Sequence, residues 1–134
     1  MEQTAAEEIE RLELRTQATP AAVPGVRHAV VAFAELHGVG VAPDVALAVS
    51  EAITNAVLHA YRDQSGGPVR VVACAEPDRL VVVVRDYGCG MSPHPDSPGL
   101  GLGLAVIGRL ATEVNIERPD EGGGTRLRMC FANA

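Results

Sequence analysis

The run Leu80-Val81-Val82-Val83-Val84 constrains this chain more than any other segment. It is apolar at consecutive rather than alternate positions, so the strand it forms has to be central or covered along a whole face. It is followed by Asp86-Tyr87-Gly88-Cys89-Gly90, where an acid and two glycines permit a sharp turn and the close approach of backbone to a flat ligand. Burying such a strand calls for neighbouring strands in the sheet and helices laid against it.

Length and composition set the remaining bounds. A chain of 134 residues fits one domain and is long enough to bury roughly two-thirds of its unfolded surface. Apolar residues make up 47% and charged residues 21%, a globular balance and not a disordered one. There is no Trp, and Phe and Tyr number two each, so the core has to be aliphatic. All eleven basic residues are Arg, which excludes the lysine-bearing Walker A loop. A net charge of −6 argues against direct contact with nucleic acid. No apolar run reaches the roughly 18–20 residues of a membrane span, and the acidic start Met-Glu-Gln-Thr is unlike a signal peptide. Cys74, Cys89 and Cys130 match neither a disulfide framework nor a zinc spacing, so a reduced, cytoplasmic protein is expected.

Along the chain, residues 1–8 read as a polar, flexible N-terminus and 9–134 as a single domain. Leu12 and Leu14 alternate with charged neighbours in an amphipathic strand over Ile9–Thr16. A helix is expected from Pro24 to about His37, ended by Gly38 and Gly40, and a second from Pro43-Asp44 to about Tyr61. Strands follow at Val69–Ala75 and Leu80–Arg85, then a proline-rich loop from Gly88 to Gly99. A third helix is expected over Leu102–Val114, with closing strands at Asn115–Arg118 and Thr125–Phe131. The order β-α-α-β-β-α-β-β is that of an α+β two-layer sandwich, a mixed, mostly antiparallel sheet with helices on one face.

Three segments carry chemistry. On the second helix Glu51, Asn55 and His59 are spaced i, i+4, i+8 and share one face. A carboxylate and a carboxamide one turn apart suit a divalent cation such as magnesium; for this segment alone an exposed polar face is the simpler reading. Asp86 at its turn can accept a hydrogen bond from an exocyclic amine, as adenine presents, or can be a plain Asp-x-Gly turn. Gly99, Gly101 and Gly103 alternate with leucines at the start of a helix, where exposed N–H groups and the positive end of the helix dipole form a phosphate cradle without lysine. A glycine repeat alone is a weak signal, but three glycines in a helix start cost about 0.5–1 kcal/mol each. Together the three segments point to ATP.

In this order, Glu-x-x-x-Asn, Asp-x-Gly-x-Gly and Gly-x-Gly-x-Gly-Leu resemble the N, G1 and G2 boxes of the GHKL superfamily of ATPases and kinases. Ser-Glu-Ala-Ile-Thr-Asn-Ala-Val-Leu-His-Ala-Tyr, residues 50–61, is more similar still to the anti-sigma factor serine kinases. The likeness covers residues 10–131. It implies a Bergerat-type sandwich binding ATP with Mg2+. By matching motif positions, Asn55 would hold the magnesium, Asp86 would read the adenine amino group, and Gly88 and Gly90 would shape the pocket. Gly99, Gly101, Gly103 and Leu104 would form the phosphate loop, Thr125 would support the adenine end, and Glu51 would be the general base. Arg27, followed by Phe33 on the first helix, is similar to an arginine these kinases use against their partners; a single solvated arginine is an equal alternative.

The resemblance implies an anti-sigma factor that sequesters a sigma factor and phosphorylates a STAS-type anti-anti-sigma protein on Ser or Thr, with a homodimer as a further expectation. The alternative is an ATP-binding module of weak or no activity that acts by sequestration only. The lid bears on that choice. Eight residues separate Gly90 from Gly99, and they include Pro93, Pro95, Pro98 and His94 but no Lys or Arg.

Overall fold

The computed structural model of the protein describes residues 10–61, 66–88 and 100–132. Strand β1 (Glu10–Gln17) opens the chain, followed by helices α1 (Ala22–Leu36) and α2 (Ala42–Asn55). Strands β2 (Pro68–Ala75) and β3 (Arg79–Asp86), helix α3 (Leu100–Leu110) and strands β4 (Glu113–Glu117) and β5 (Thr125–Ala132) complete it. The sheet runs β1-β2-β3-β5-β4, and each of its four pairings is antiparallel, with no parallel pair among the described strands. The valine strand β3 is therefore the middle strand.

Period-two patterning sorts side chains to the two faces. Leu12 and Leu14, Val69, Val71 and Ala73, Leu80, Val82 and Val84, and Leu127, Met129 and Phe131 all join one hydrophobic cluster with the helices. Helix α1 contributes Val26, Val30 and Ala34 to it, and α2 contributes Val45, Ala48, Val49, Ala52 and Ile53. Each fully buried Val or Ile stabilises the fold by roughly 1.5–3 kcal/mol relative to exposure. Helix α2 packs against both α1 and α3, so it is the central helix of its layer. The second face of the sheet bears long charged side chains, Arg11, Glu13, Arg15, Arg70, Arg85, Arg126 and Arg128 among them.

The three helices differ most from the sequence reading, and β4 begins at Glu113, two residues before the expected start. Helix α1 starts at Ala22, with Pro24 inside its first turn, where a missing N–H costs no hydrogen bond. Helix α2 is α-helical only to Asn55 and then widens into one π-helical turn, Ala56–Ala60. Helix α3 spans Leu100–Leu110 rather than running to Val114. Its end is set by β5: the Thr112 backbone N–H and hydroxyl both donate to the Cys130 carbonyl, at 2.8 and 3.0 Å, and Val114 pairs with Met129. No described helix is long and apolar enough to cross a membrane.

Candidate nucleotide site

Asp86 is the last residue of β3 and faces the helices, in register with Val69 on one side and Thr125 on the other. Its side chain is fully buried. One carboxylate oxygen, Oδ1, accepts the Gly88 backbone N–H at 3.1 Å, and the Thr125 backbone N–H also bonds the carboxylate. Oδ2 is buried with no hydrogen-bond partner. Burial pushes the Asp86 pKa up, opposed by the Gly88 and Thr125 N–H groups and by the charge of Arg85. A buried carboxylate with one oxygen unanswered is an expensive arrangement, and a ligand that brings a donor offsets that cost.

Two glycines allow the close packing around this acid. Gly124 has φ +75°, and a Cβ there would overlap the Asp86 carbonyl and press on its carboxylate. A Cβ at Gly88 would overlap the carbonyl of Ala60, so the turn after β3 lies directly on the π-helical end of α2. Tyr61 locks the same contact. Its hydroxyl donates to the Pro68 carbonyl at 2.6 Å and accepts the Tyr87 N–H at 2.8 Å. Burial raises the Tyr61 pKa, which keeps the hydroxyl a donor. The sequence reading assigned Tyr61 and Gly124 no part in the site. A Tyr at a helix end has many roles, and no local pattern announces which backbone groups it will meet.

Asn55 is 4% exposed at the last position of α2, and its Nδ2 has no hydrogen-bond partner. Glu51 is half-buried one turn earlier on the same helix. The spacing that placed His59 with them assumed a continuous α-helix, and the π-helical turn breaks that register after Asn55. Gly101 and Gly103 lie in the first turn of α3, not in a loop before it, so the backbone donors there are those of a helix N-terminus. Leu104 is partly buried against the core. Gly90, Gly99 and the lid between them lie outside the described residues. Arg27, on α1, is partly buried and donates to the Ser50 hydroxyl at 3.3 Å, next to Glu51 in the chain.

Asp86, Gly88 and Thr125 are thus gathered at one end of the sheet, against the helix that carries Glu51 and Asn55. The described residues suit the base of a nucleotide, with a buried acceptor for an amine and a glycine turn for the ring to approach; a helix N-terminus and a carboxamide are the kinds of group that take phosphate and a hard cation. A family model, the histidine kinase-like ATPase domain, matches residues 16–131, and the chain belongs to that family. Within it the chain is similar to anti-sigma serine kinases. It is 32% identical to the serine-protein kinase RsbW of Bacillus licheniformis over 123 residues, covering 79% of this chain and 77% of the relative. It is 35% identical to the anti-sigma F factor of Clostridium acetobutylicum over 97 residues, or 64% of this chain and 66% of that one.

Proposed function

We propose that this chain is a cytoplasmic anti-sigma factor with ATP-dependent serine/threonine kinase activity, which holds a sigma factor and phosphorylates a STAS-type anti-anti-sigma partner. The observation that carries the nucleotide half is the buried Asp86 carboxylate, with Oδ1 satisfied by the Gly88 N–H and Oδ2 facing no donor of its own. Oδ2 would accept a hydrogen bond from the adenine amino group, while Gly88 and Gly90 would let the ring approach and Thr125 would support the adenine end. Asn55 would hold Mg2+, and Gly99, Gly101, Gly103 and Leu104 would make up the phosphate-binding segment. Mg-ATP supplies the transferable phosphoryl group and the counter-charge for its oxygens. Glu51 orients the incoming Ser or Thr hydroxyl and takes its proton on a carboxylate oxygen. Arg27, fixed to Ser50 beside Glu51, meets the partner. The names of the relatives support both halves of this reading, since one is called a serine-protein kinase and another an anti-sigma factor.

The test is to incubate the protein with Mg-ATP and candidate anti-anti-sigma domains, with wild type and Glu51→Gln side by side. Phosphate is expected on a partner Ser or Thr, falling by about 10²–10⁴-fold in the variant while ATP still binds. Sigma binding without ATP binding would replace the kinase with a sequestering module.

A further inference from the structure

The strand register sets one arginine from each of four strands side by side. Arg15 pairs with Arg70, Arg70 with Arg85, and Arg85 with Arg126, and the row ends on Glu117 of β4. All lie on the sheet face away from the helices. Like charges directly opposite one another on neighbouring strands destabilise a sheet, and here three such pairings follow in succession, in a chain whose net charge is −6. A local rule broken without evident gain to the fold marks a functional surface.

The row's own compensation is partial. Glu13 lies 2.6 Å from Arg70 and is shared with Arg11 and Arg15, and Glu117 lies 2.9 Å from Arg126. Arg85 instead donates to the Glu121 and Gly123 carbonyls and stacks over the Tyr87 ring at 4.5 Å. Arg15 remains 79% exposed. Arg15, Arg70 and Tyr87, with Pro68 and Val69, line a concavity of about 250 Å³ with no acidic side chain among its described lining residues.

We propose that this arginine row is a docking surface for an acidic helix of a protein partner. Charge complementarity names the chemistry, because guanidinium forks match carboxylates two oxygens at a time. Spacing names the helix. Neighbouring strands are about 4.8 Å apart, and carboxylates at i, i+4 and i+7 on a helix recur about every 5.4 Å, so over three strand intervals the two drift by about 2 Å. Same-side residues of an extended chain recur about every 6.7 Å and drift by about 6 Å over the same row. A nucleic acid fits less well. Single strands need stacking platforms, and Tyr87, the one aromatic side chain on this face among the described residues, is already covered by Arg85. The surface lies across the sheet from Asp86, so it stands whether or not the kinase reading holds.

The probe is a fluorescent, stapled alanine-based helix with Glu at i, i+4, i+7 and i+11, titrated at 50 and 200 mM NaCl. Controls are a Pro-interrupted peptide of the same composition and a single-stranded oligonucleotide of equal charge. Wild type is expected to bind the helix about tenfold more tightly than Arg15→Gln/Arg126→Gln, with affinity falling several-fold at the higher salt. Binding of a fluorescent ATP analogue or a circular dichroism melt confirms that the variant is folded. Equal binding by wild type and variant, no binding to the helix, preference for the Pro-interrupted peptide or the oligonucleotide, or a site occupied by self-association would each overturn the proposal.

Discussion

At one level of the sheet, β3 sends two consecutive side chains to opposite fates. Asp86 enters the helix-covered side, fully buried. Arg85 leaves by the open side, into a row of guanidiniums with Arg15, Arg70 and Arg126. A single charge on the covered side has its place dictated by backbone: the Gly88 and Thr125 N–H groups hold it, and Gly124, lacking a Cβ, lets its backbone close on it. Several charges on the open side need only shared carboxylates, carbonyls and water. The cost of a charge depends on the solvent removed from it more than on how many like charges stand nearby. The covered side therefore suits a defined ligand, and the open side suits the adjustable partner proposed above.

Substitutions on the two sides should differ accordingly. Gly88→Ala drives a methyl into the Ala60 carbonyl. It should destabilise the protein by about 1–3 kcal/mol and lower the melting temperature by several degrees in calorimetry. An unchanged melt would show that the turn and α2 are not in fact wedged together.

Asp86→Asn should weaken nucleotide binding by roughly 1.5–3 kcal/mol, or ten- to a hundredfold, by isothermal titration. The pH dependence has a definite sign. Burial raises the Asp86 pKa above its unfolded value, so the folded state holds the proton more tightly. Relative to Asp86→Asn, wild type without nucleotide therefore loses stability as pH rises from the unfolded pKa through the raised folded one. At neutral pH the variant should melt no lower than wild type. Nucleotide affinity of the wild type should fall as the pH drops through the same raised value, because protonation removes the acceptor. A variant that binds nucleotide as wild type does would remove Asp86 from the site.

Tyr61→Phe deletes the acceptor of the Tyr87 N–H and the donor to Pro68. A loss of about 1–2 kcal/mol in chemical denaturation is expected. The smallest effect belongs to the open side. Arg126→Gln removes an exposed ion pair with Glu117, and stability should change by no more than about 0.5 kcal/mol. A large loss there would make the arginine row part of the fold rather than a surface for a partner.

Much of the fold was legible because it is written locally. The period-two leucines of β1, the valine run of β3 and the helical spacing of Val45, Ala48, Val49, Ala52 and Ile53 each state an element and its buried face. Boundaries were less legible where tertiary contacts decide them. The sequence from Leu102 to Val114 suits one helix, yet Thr112 turns away because the Cys130 carbonyl, eighteen residues on, takes both its donors. The π-helical turn after Asn55 likewise has no local signature, and it appears where α2 must meet the turn after β3.

The sequence by itself determined the order of elements and the aliphatic core, since these follow from residue type and short spacing, and it proposed Glu51, Asn55 and Asp86 through their motif resemblance. Only the tertiary structure decided that Thr125 sits beside Asp86, that Ala60 closes on Gly88, and that four arginines far apart in the chain fall into one row. The reason is physical. Strand register is set by burying one face of the whole sheet at once, and no local segment carries that information.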